Sequence, residues 1–259
     1  MFGRSFGVSG VWCPPSPHVS KSAEHPSSSG VLVITPAFNE EAHVGRLVTE
    51  IRQVLPAAEI VVVNDGSTDA TASAARAAGA VVLSHPFNMG YGVALQTGYK
   101  YARTRGADYI LQLDADGQHE PASCRDMLAV LQAGTADVVI GSRHMAAASY
   151  TPPLVRRVAM RFFAVLASLV LRQRITDPTS GLQGFRRDVL RFLVSDYFPV
   201  DYPDADVIIM LHRCGYRIAE IPAVMRAGTG KSMHSGFAPV YYVFKMLLSM
   251  FVSLLRRVQ

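Results

Sequence analysis

Residues 31–69 read VLVITPAFNEEAHVGRLVTEIRQVLPAAEIVVVNDGSTD, and this stretch decides the fold. Val31–Thr35 is a short apolar run that reads as a buried strand. Asn39 reads as the cap of a helix running to about Leu55. Glu40 and Glu41 fall in its first turn, where carboxylates complement the positive end of the helix dipole. Glu59–Asn64 is a second strand. Asp65-Gly66-Ser67-Thr68-Asp69 is turn chemistry leading into an alanine-rich helix that ends near Gly79.

The same alternation continues outward. Val81–Ser84 reads as strand, Tyr91–Arg105 as helix, Tyr109–Asp114 as strand, Pro121–Ala133 as helix and Asp137–Ser142 as strand. Strands separated by helices of this length form βαβ units. The expected fold class is therefore α/β, with a Rossmann-like, mostly parallel sheet flanked by helices. Ligands of such sheets bind at the carboxyl ends of the strands. Pro36, Phe38, Glu40, Asp65, Asn88 and Asp114/Asp116 all fall there. Asn88, Gly90 and Gly92 read first as a tight entry into a helix.

Outside this core the pattern changes. Residues 1–29 are rich in Ser, Pro, Gly and His and read as a flexible tail. Leu154–Leu171 is an apolar helix broken by Arg156, Arg157 and Arg161. Thr176–Gly181 is a loop, Asp204–Arg213 a helix and Arg217–Val224 a strand, followed by a basic Gly/Ser-rich loop over Arg226–Gly236. Pro239–Val258 is a last apolar helix. Its apolar stretch is shorter than the roughly 20 residues a spanning helix needs, and it carries Lys245. It reads as a helix in the membrane interface, with packing on the sheet as the alternative. The expected division is a tail (1–29), an α/β domain (30–236) and a C-terminal apolar, membrane-interfacial helix (237–259).

Residues 1–150 carry 10 Lys/Arg against 13 Asp/Glu, whereas residues 151–259 carry 15 against 7. A basic second half implies an anionic partner. Its arginines lie beside apolar runs instead of interleaving with aromatics, which favours a membrane surface over nucleic acid. Three widely spaced cysteines, Cys13, Cys124 and Cys214, form neither a disulfide framework nor a zinc pattern. They read as unpaired thiols in a reducing compartment.

The chemistry concentrates in residues 109–120, YILQLDADGQHE. Asp114 and Asp116, at i and i+2 where a strand gives way to a loop, can present oxygen to one divalent cation. Hard oxygen ligands suit Mg²⁺ or Mn²⁺, and such sites complete their shell with substrate phosphates. His119 and His234 have no partner at metal spacing.

Seven segments in order now carry a resemblance: Thr35–Glu41, Val63–Asp69, Asn88–Gly92, Leu113–His119, Gly141–Arg143, Asp177–Gly181 and Arg226–Ser232. Together they resemble the family 2 glycosyltransferases of GT-A fold, and within them the polyprenyl- or dolichyl-phosphate sugar synthases. The resemblance implies that Pro36, Phe38, Glu40 and Asp65 hold the nucleoside of a UDP- or GDP-sugar. It implies Asp114, Asp116 and Gln118 as the metal shell, with Ala115 beside the donor. Arg226, Lys231 and Ser232 would close over the donor phosphates, and Arg143, Arg156 and Arg157 would hold the acceptor phosphate. The implied reaction is metal-dependent, inverting transfer of a sugar to polyprenyl phosphate at the cytoplasmic face of a membrane. The protein would be peripheral, not spanning.

Alternatives stay open at this level. Asp206, at a helix head, is placed to act as base if the acceptor is a hydroxyl of a glycan or a small soluble compound. A non-catalytic nucleotide-sugar-binding subunit would keep the same fold. Asp65 also suits a plain turn, and Glu40 a plain helix start. The chain carries Leu182-Gln183 where the lipid-phosphate enzymes often carry Phe-Arg. It also has no counterpart to the C-terminal transmembrane hairpins of some of them. Anchoring would then rest on the last helix, on a small membrane-protein partner or on a homo-oligomer.

Overall fold

The computed structural model describes residues 30–145, 161–162, 164–166, 168–169, 171–199 and 203–226. Seven strands form one sheet: β1 (Val31–Ala37), β2 (Glu59–Asn64), β3 (Val81–Ser84), β4 (Tyr109–Gln112), β5 (Val138–Ser142), β6 (Gln183–Arg186) and β7 (Ile218–Pro222). Their spatial order is β3-β2-β1-β4-β6-β5-β7. β1 pairs in parallel with β2 and β4, β2 with β3, and β5 with β7. β6 runs antiparallel between β4 and β5. The helices are α1 (Val44–Val54), α2 (Thr71–Ala77), α3 (Tyr91–Thr104), α4 (Ser123–Gln132), the short α5 (Leu190–Leu193) and α6 (Ala205–Arg213).

The mostly parallel α/β expectation holds, and its physical basis is visible in β1. All seven of its residues are buried, because helices cover both faces. Successive side chains alternate between two cores. Leu32 and Ile34 join α3, α5 and α6, whereas Val33 joins Val44, Leu47, Val48 and Ile51 of α1 and Met127 and Leu131 of α4. Each such fully buried aliphatic contributes about 1.5–3 kcal/mol. α3 approaches β1 closely at Gly98, where a Cβ would lie 2.5 Å from Ile34 Cγ2.

Strand order reverses about β1, with β2 on one side and β4 on the other. This switch point opens a crevice beyond their carboxyl ends. β6 was not expected from sequence: Gln-Gly-Phe-Arg offers no apolar run, and it is held by Phe185 and by ladders on both sides. Another correction concerns Asn39. It does not cap α1, which begins at Val44 with His43 at its N-cap. Cys124 is a buried free thiol, as expected. Cys214 is disulfide-bonded, against the reading of three unpaired thiols, since spacing along the chain does not report proximity in space. The tail (1–29) and the last helix (237–259) lie outside the described residues.

Candidate active site

Two loops at the carboxyl ends of β1 and β2 are fastened to each other. Asn39 sits in the left-handed region at φ 56°, and its Oδ1 accepts the Thr68 N–H at 2.9 Å while its own N–H donates to Ser67 Oγ at 3.0 Å. Glu40 N–H donates to Thr71 Oγ1 (2.8 Å), and Ala70 N–H donates to Glu41 Oε2 (2.8 Å). The Glu40 carboxylate accepts from His43 Nδ1 at 2.9 Å. Backbone groups orphaned by the two sharp turns thus find partners in the facing loop. Phe38 projects from this clasp, 44% exposed, whereas Pro36 is buried in β1.

Asp65 lies at the end of β2 with its carboxylate inside the protein. Oδ1 accepts from Met89 N–H (2.8 Å) and His85 Nδ1 (2.7 Å), and Oδ2 from Gly90 N–H (2.9 Å). Gly90 is the N-cap of α3, so this carboxylate occupies the place at the helix N-terminus where an external anion would otherwise sit. The segment around Asn88 to Gly92 is therefore a tight helix entry held by Asp65. Gly66 (φ 69°) permits it, since a Cβ there would lie 2.3 Å from the Phe87 carbonyl carbon.

Asp114 and Asp116 follow β4. Asp114 Oδ1 accepts the Tyr91 hydroxyl at 2.8 Å, and Asp116 Oδ1 accepts the Gln118 N–H at 2.9 Å. Ala115 between them is buried. Burial raises the pKa of Asp114, against the opposing Tyr91 hydrogen bond and the Arg143 charge. Asp116 is raised by burial and then by the charge of Asp114. Two carboxylates lifted by burial, one further by its like-charged neighbour, suit a divalent cation. The fit has a steric side too: at Gly181 a Cβ would lie 2.0 Å from Asp114 Oδ2, so only glycine leaves that oxygen its space. Among the described residues no group of three or more His, Cys, Asp or Glu side chains is arranged to hold a metal by itself. The pair can therefore contribute only part of a shell, leaving positions for substrate oxygens. The Gln118 carboxamide makes no hydrogen bond among the described residues, while its backbone carbonyl accepts the Arg226 N–H.

Sequence reasoning set His119 aside, yet the fold buries it beside the pair, Nε2 3.8 Å from Asp114 Oδ2. Burial, and then the Arg143 charge, push its pKa down to about 4. A bridge between His119 and Met225 brings it there, a contact that no local pattern encodes.

The remaining expected residues are placed differently. Arg143, at the end of β5, binds Asp177 through Nε and Nη2 (both 2.6 Å) and Thr179 Oγ1 (3.0 Å). Burial would raise Asp177, but the Arg143 hydrogen bonds and charge outweigh it and hold the carboxyl below the usual range. Arg143 thus braces the 176–181 loop, which Glu220 also fastens through the Thr176 and Asp177 N–H groups. Arg226 pairs with Glu50 of α1 at 2.7 Å. Asp206 is buried, with Oδ1 accepting the Asp204 and Val207 N–H groups. Arg156, Arg157, Lys231 and Ser232 lie outside the described residues.

Comparison with known proteins agrees with this architecture. The pattern of the family described as Glycosyl transferase family 2 matches residues 32–193. An undecaprenyl-phosphate mannosyltransferase of Micrococcus luteus is 30% identical over 80% of this chain and 88% of its own length. A dolichyl-phosphate hexose transferase of Haloferax volcanii is 29% identical over 80% and 88%. Among solved structures, glucosyl-3-phosphoglycerate synthase from Mycobacterium tuberculosis, in complex with Mn²⁺, UDP-glucose and phosphoglyceric acid, superimposes with a TM-score of 0.65 at 21% identity. That match covers 86% of this chain and 79% of that one. At that identity the likeness establishes the GT-A-like fold.

Proposed function

This chain belongs to glycosyl transferase family 2, and from that membership we propose that it moves one hexose from a UDP- or GDP-sugar to a polyprenyl phosphate, with inversion. The single observation that carries the donor half is the Asp114–Asp116 pair. It sits at the switch point of the sheet, both carboxyls raised by burial and Asp116 further by the charge of Asp114, with glycine instead of a side chain against one oxygen. Mg²⁺ or Mn²⁺ held there would neutralise charge on the departing nucleoside diphosphate. The Mn²⁺-containing synthase of similar fold supports this reading of the pair. The names of the two relatives, one an undecaprenyl-phosphate and one a dolichyl-phosphate transferase, support the acceptor half.

The residues divide the work. Asp114 and Asp116 hold the cation, with the Gln118 carboxamide available to it. Pro36, Phe38 and Glu40 border the nucleoside, and Asp65 fixes the loop beside it. Arg156 and Arg157 bind the acceptor phosphate, which Arg143 supports by holding the 176–181 loop. Arg226, Lys231 and Ser232 meet the donor phosphates once Arg226 leaves Glu50. A phosphate acceptor brings an anionic oxygen and needs no base, only alignment and exclusion of water. The engagement of Asp206 by two backbone N–H groups agrees with that demand.

We propose further that residues 30–236 form the catalytic unit and 237–259 an interfacial helix at the cytoplasmic membrane face. That helix docks on lipid, on a small membrane-protein partner or on a second copy. Among the described residues no helix is long and apolar enough to cross a membrane. The deciding experiment is nucleoside diphosphate release from a panel of UDP- and GDP-sugars with Mg²⁺ or Mn²⁺, with and without short-chain polyprenyl phosphate. Release that requires the lipid phosphate is expected. Release indifferent to it but raised by a hydroxyl compound transfers the reaction to a soluble acceptor, with Asp206 as base.

A further inference from the structure

We propose that Gln112 and Tyr91 are positioning residues that aim Asp114 at its cation and register it against the loop carrying Gly181. The inference rests on the metal reading above. Gln112 is the last residue of β4 and is buried in an otherwise apolar strand, so its carboxamide must be satisfied internally. Every hydrogen-bonding group of that carboxamide is used. Nε2 donates to the Tyr91 hydroxyl oxygen and to the Gly181 carbonyl, each at 3.2 Å, and Oε1 accepts the Tyr99 hydroxyl. Tyr91 in turn donates its single proton to Asp114 Oδ1 at 2.8 Å. The bonds all run one way, from Tyr99 through Gln112 and Tyr91 to Asp114, so Asp114 Oδ1 is the terminal acceptor.

The starting point of this chain is buried and packed on two aromatic rings. The Tyr99 ring stands edge-on to Phe185 and Phe198, with centroids 5.8 and 5.7 Å away. With Oδ1 fixed by Tyr91, Oδ2 is the oxygen directed under Gly181, where a Cβ would collide. Gln112 therefore holds the two sides of the same gap: the carboxylate through Tyr91, and the loop above it through the Gly181 carbonyl. That loop is the one Arg143 fastens through Asp177 and Thr179. One buried amide thus connects the donor-side metal ligand to the acceptor-side loop.

The test uses the full chain and measures Mn²⁺ binding by electron paramagnetic resonance, with and without UDP, beside steady-state kinetics. Tyr91→Phe removes one hydroxyl from a residue that is 36% exposed, so the fold is retained. It is expected to raise the Mn²⁺ Kd about 10-fold, the loss typical of an outer partner of a metal ligand. The KM for polyprenyl phosphate should change by less than about twofold, since the Gly181 contact remains. Gln112→Met should weaken Mn²⁺ similarly and raise the acceptor KM as well. An unchanged Mn²⁺ Kd in folded Tyr91→Phe overturns the inference, whatever Gln112→Met does. Asp114→Asn is the separate check on the underlying reading. If that variant binds Mn²⁺ like the parent, the metal assignment itself falls; if it loses Mn²⁺ while Tyr91→Phe does not, only the positioning role falls.

Discussion

Asp65 and Asp114 stand at the ends of neighbouring parts of one sheet, and both face the first turn of α3, yet they are opposite kinds of carboxylate. Asp65 receives three donors, two from the Met89 and Gly90 amides at the entry to α3 and one from His85. Asp114 receives one, from Tyr91, and lies beside a second buried carboxylate. A saturated anion holds structure, because its desolvation is offset inside the protein. An under-supplied pair keeps part of that cost until something positive arrives. The same helix start thus serves as anion site for Asp65 and as hydroxyl donor for Asp114.

The largest expected effects test that contrast directly. Asp114→Asn, and equally Asp116→Asn, should lower metal-dependent turnover by about 100-fold or more, as expected when charge stabilisation at the leaving group is lost. Thermal stability without metal should hold or rise, because the like-charge repulsion is gone. Asp65→Asn should do the reverse. It leaves one oxygen for three donors and costs about 2–4 kcal/mol, read as a lower midpoint in urea. A destabilised Asp114→Asn with normal turnover would dissolve the distinction. Next in size is Gly181→Ala, whose Cβ would lie 2.0 Å from Asp114 Oδ2. It should weaken Mn²⁺ binding about 10- to 100-fold with little change in nucleotide binding measured without metal.

Acid sharpens the comparison through Asp177. Its folded pKa is lowered, so the stability it contributes is present above the unfolded carboxylate range and is lost as pH falls through the folded value. Asp114 and Asp116 are raised, so their ionisation costs stability as pH climbs through that range, and acid relieves the cost. Asp177→Asn should therefore destabilise the chain by about 3 kcal/mol at neutral pH, with the deficit shrinking in acid. Asp114→Asn should show no such acid-dependent deficit. Urea midpoints across pH for the two variants check both signs.

How much of this was legible follows from what each feature depends on. The parallel sheet was readable because β1, β2 and the helices between them are written in continuous apolar runs and periodic faces. The proximity of Asp114 and Asp116 was readable because two carboxylates close in sequence are also close in space. The clasp between Asn39 and Thr68, the commitment of Arg143 to Asp177, and the burial of His119 are not local. They join residues that only the closed sheet brings together. β6 was hidden for a related reason: four residues with one large apolar side chain become a strand only between two finished neighbours. Asp65 was singled out correctly as a strand-end carboxylate, but spacing could not reveal that Met89, Gly90 and His85 would satisfy it.

The smallest expected effect concerns the clasp, and it tests whether the β1–β2 side of the crevice is a structural brace. Asn39 holds a left-handed conformation that costs a residue with an ordinary Cβ about 1 kcal/mol, and its carboxamide accepts the Thr68 N–H. Asn39→Gly keeps the backbone and loses only the bonds its carboxamide accepts from the Thr68 N–H and hydroxyl, whereas Asn39→Ala loses those bonds and strains the backbone as well. The midpoint should fall in the order parent, Gly, Ala, with Ala about 2 kcal/mol below the parent. Mn²⁺ affinity should not follow, because the clasp touches neither Tyr91 nor Asp114. A metal affinity that drops in step with stability would mean that the two sides of the crevice move as one body, and Asp65 and Asp114 would then differ in degree and not in kind.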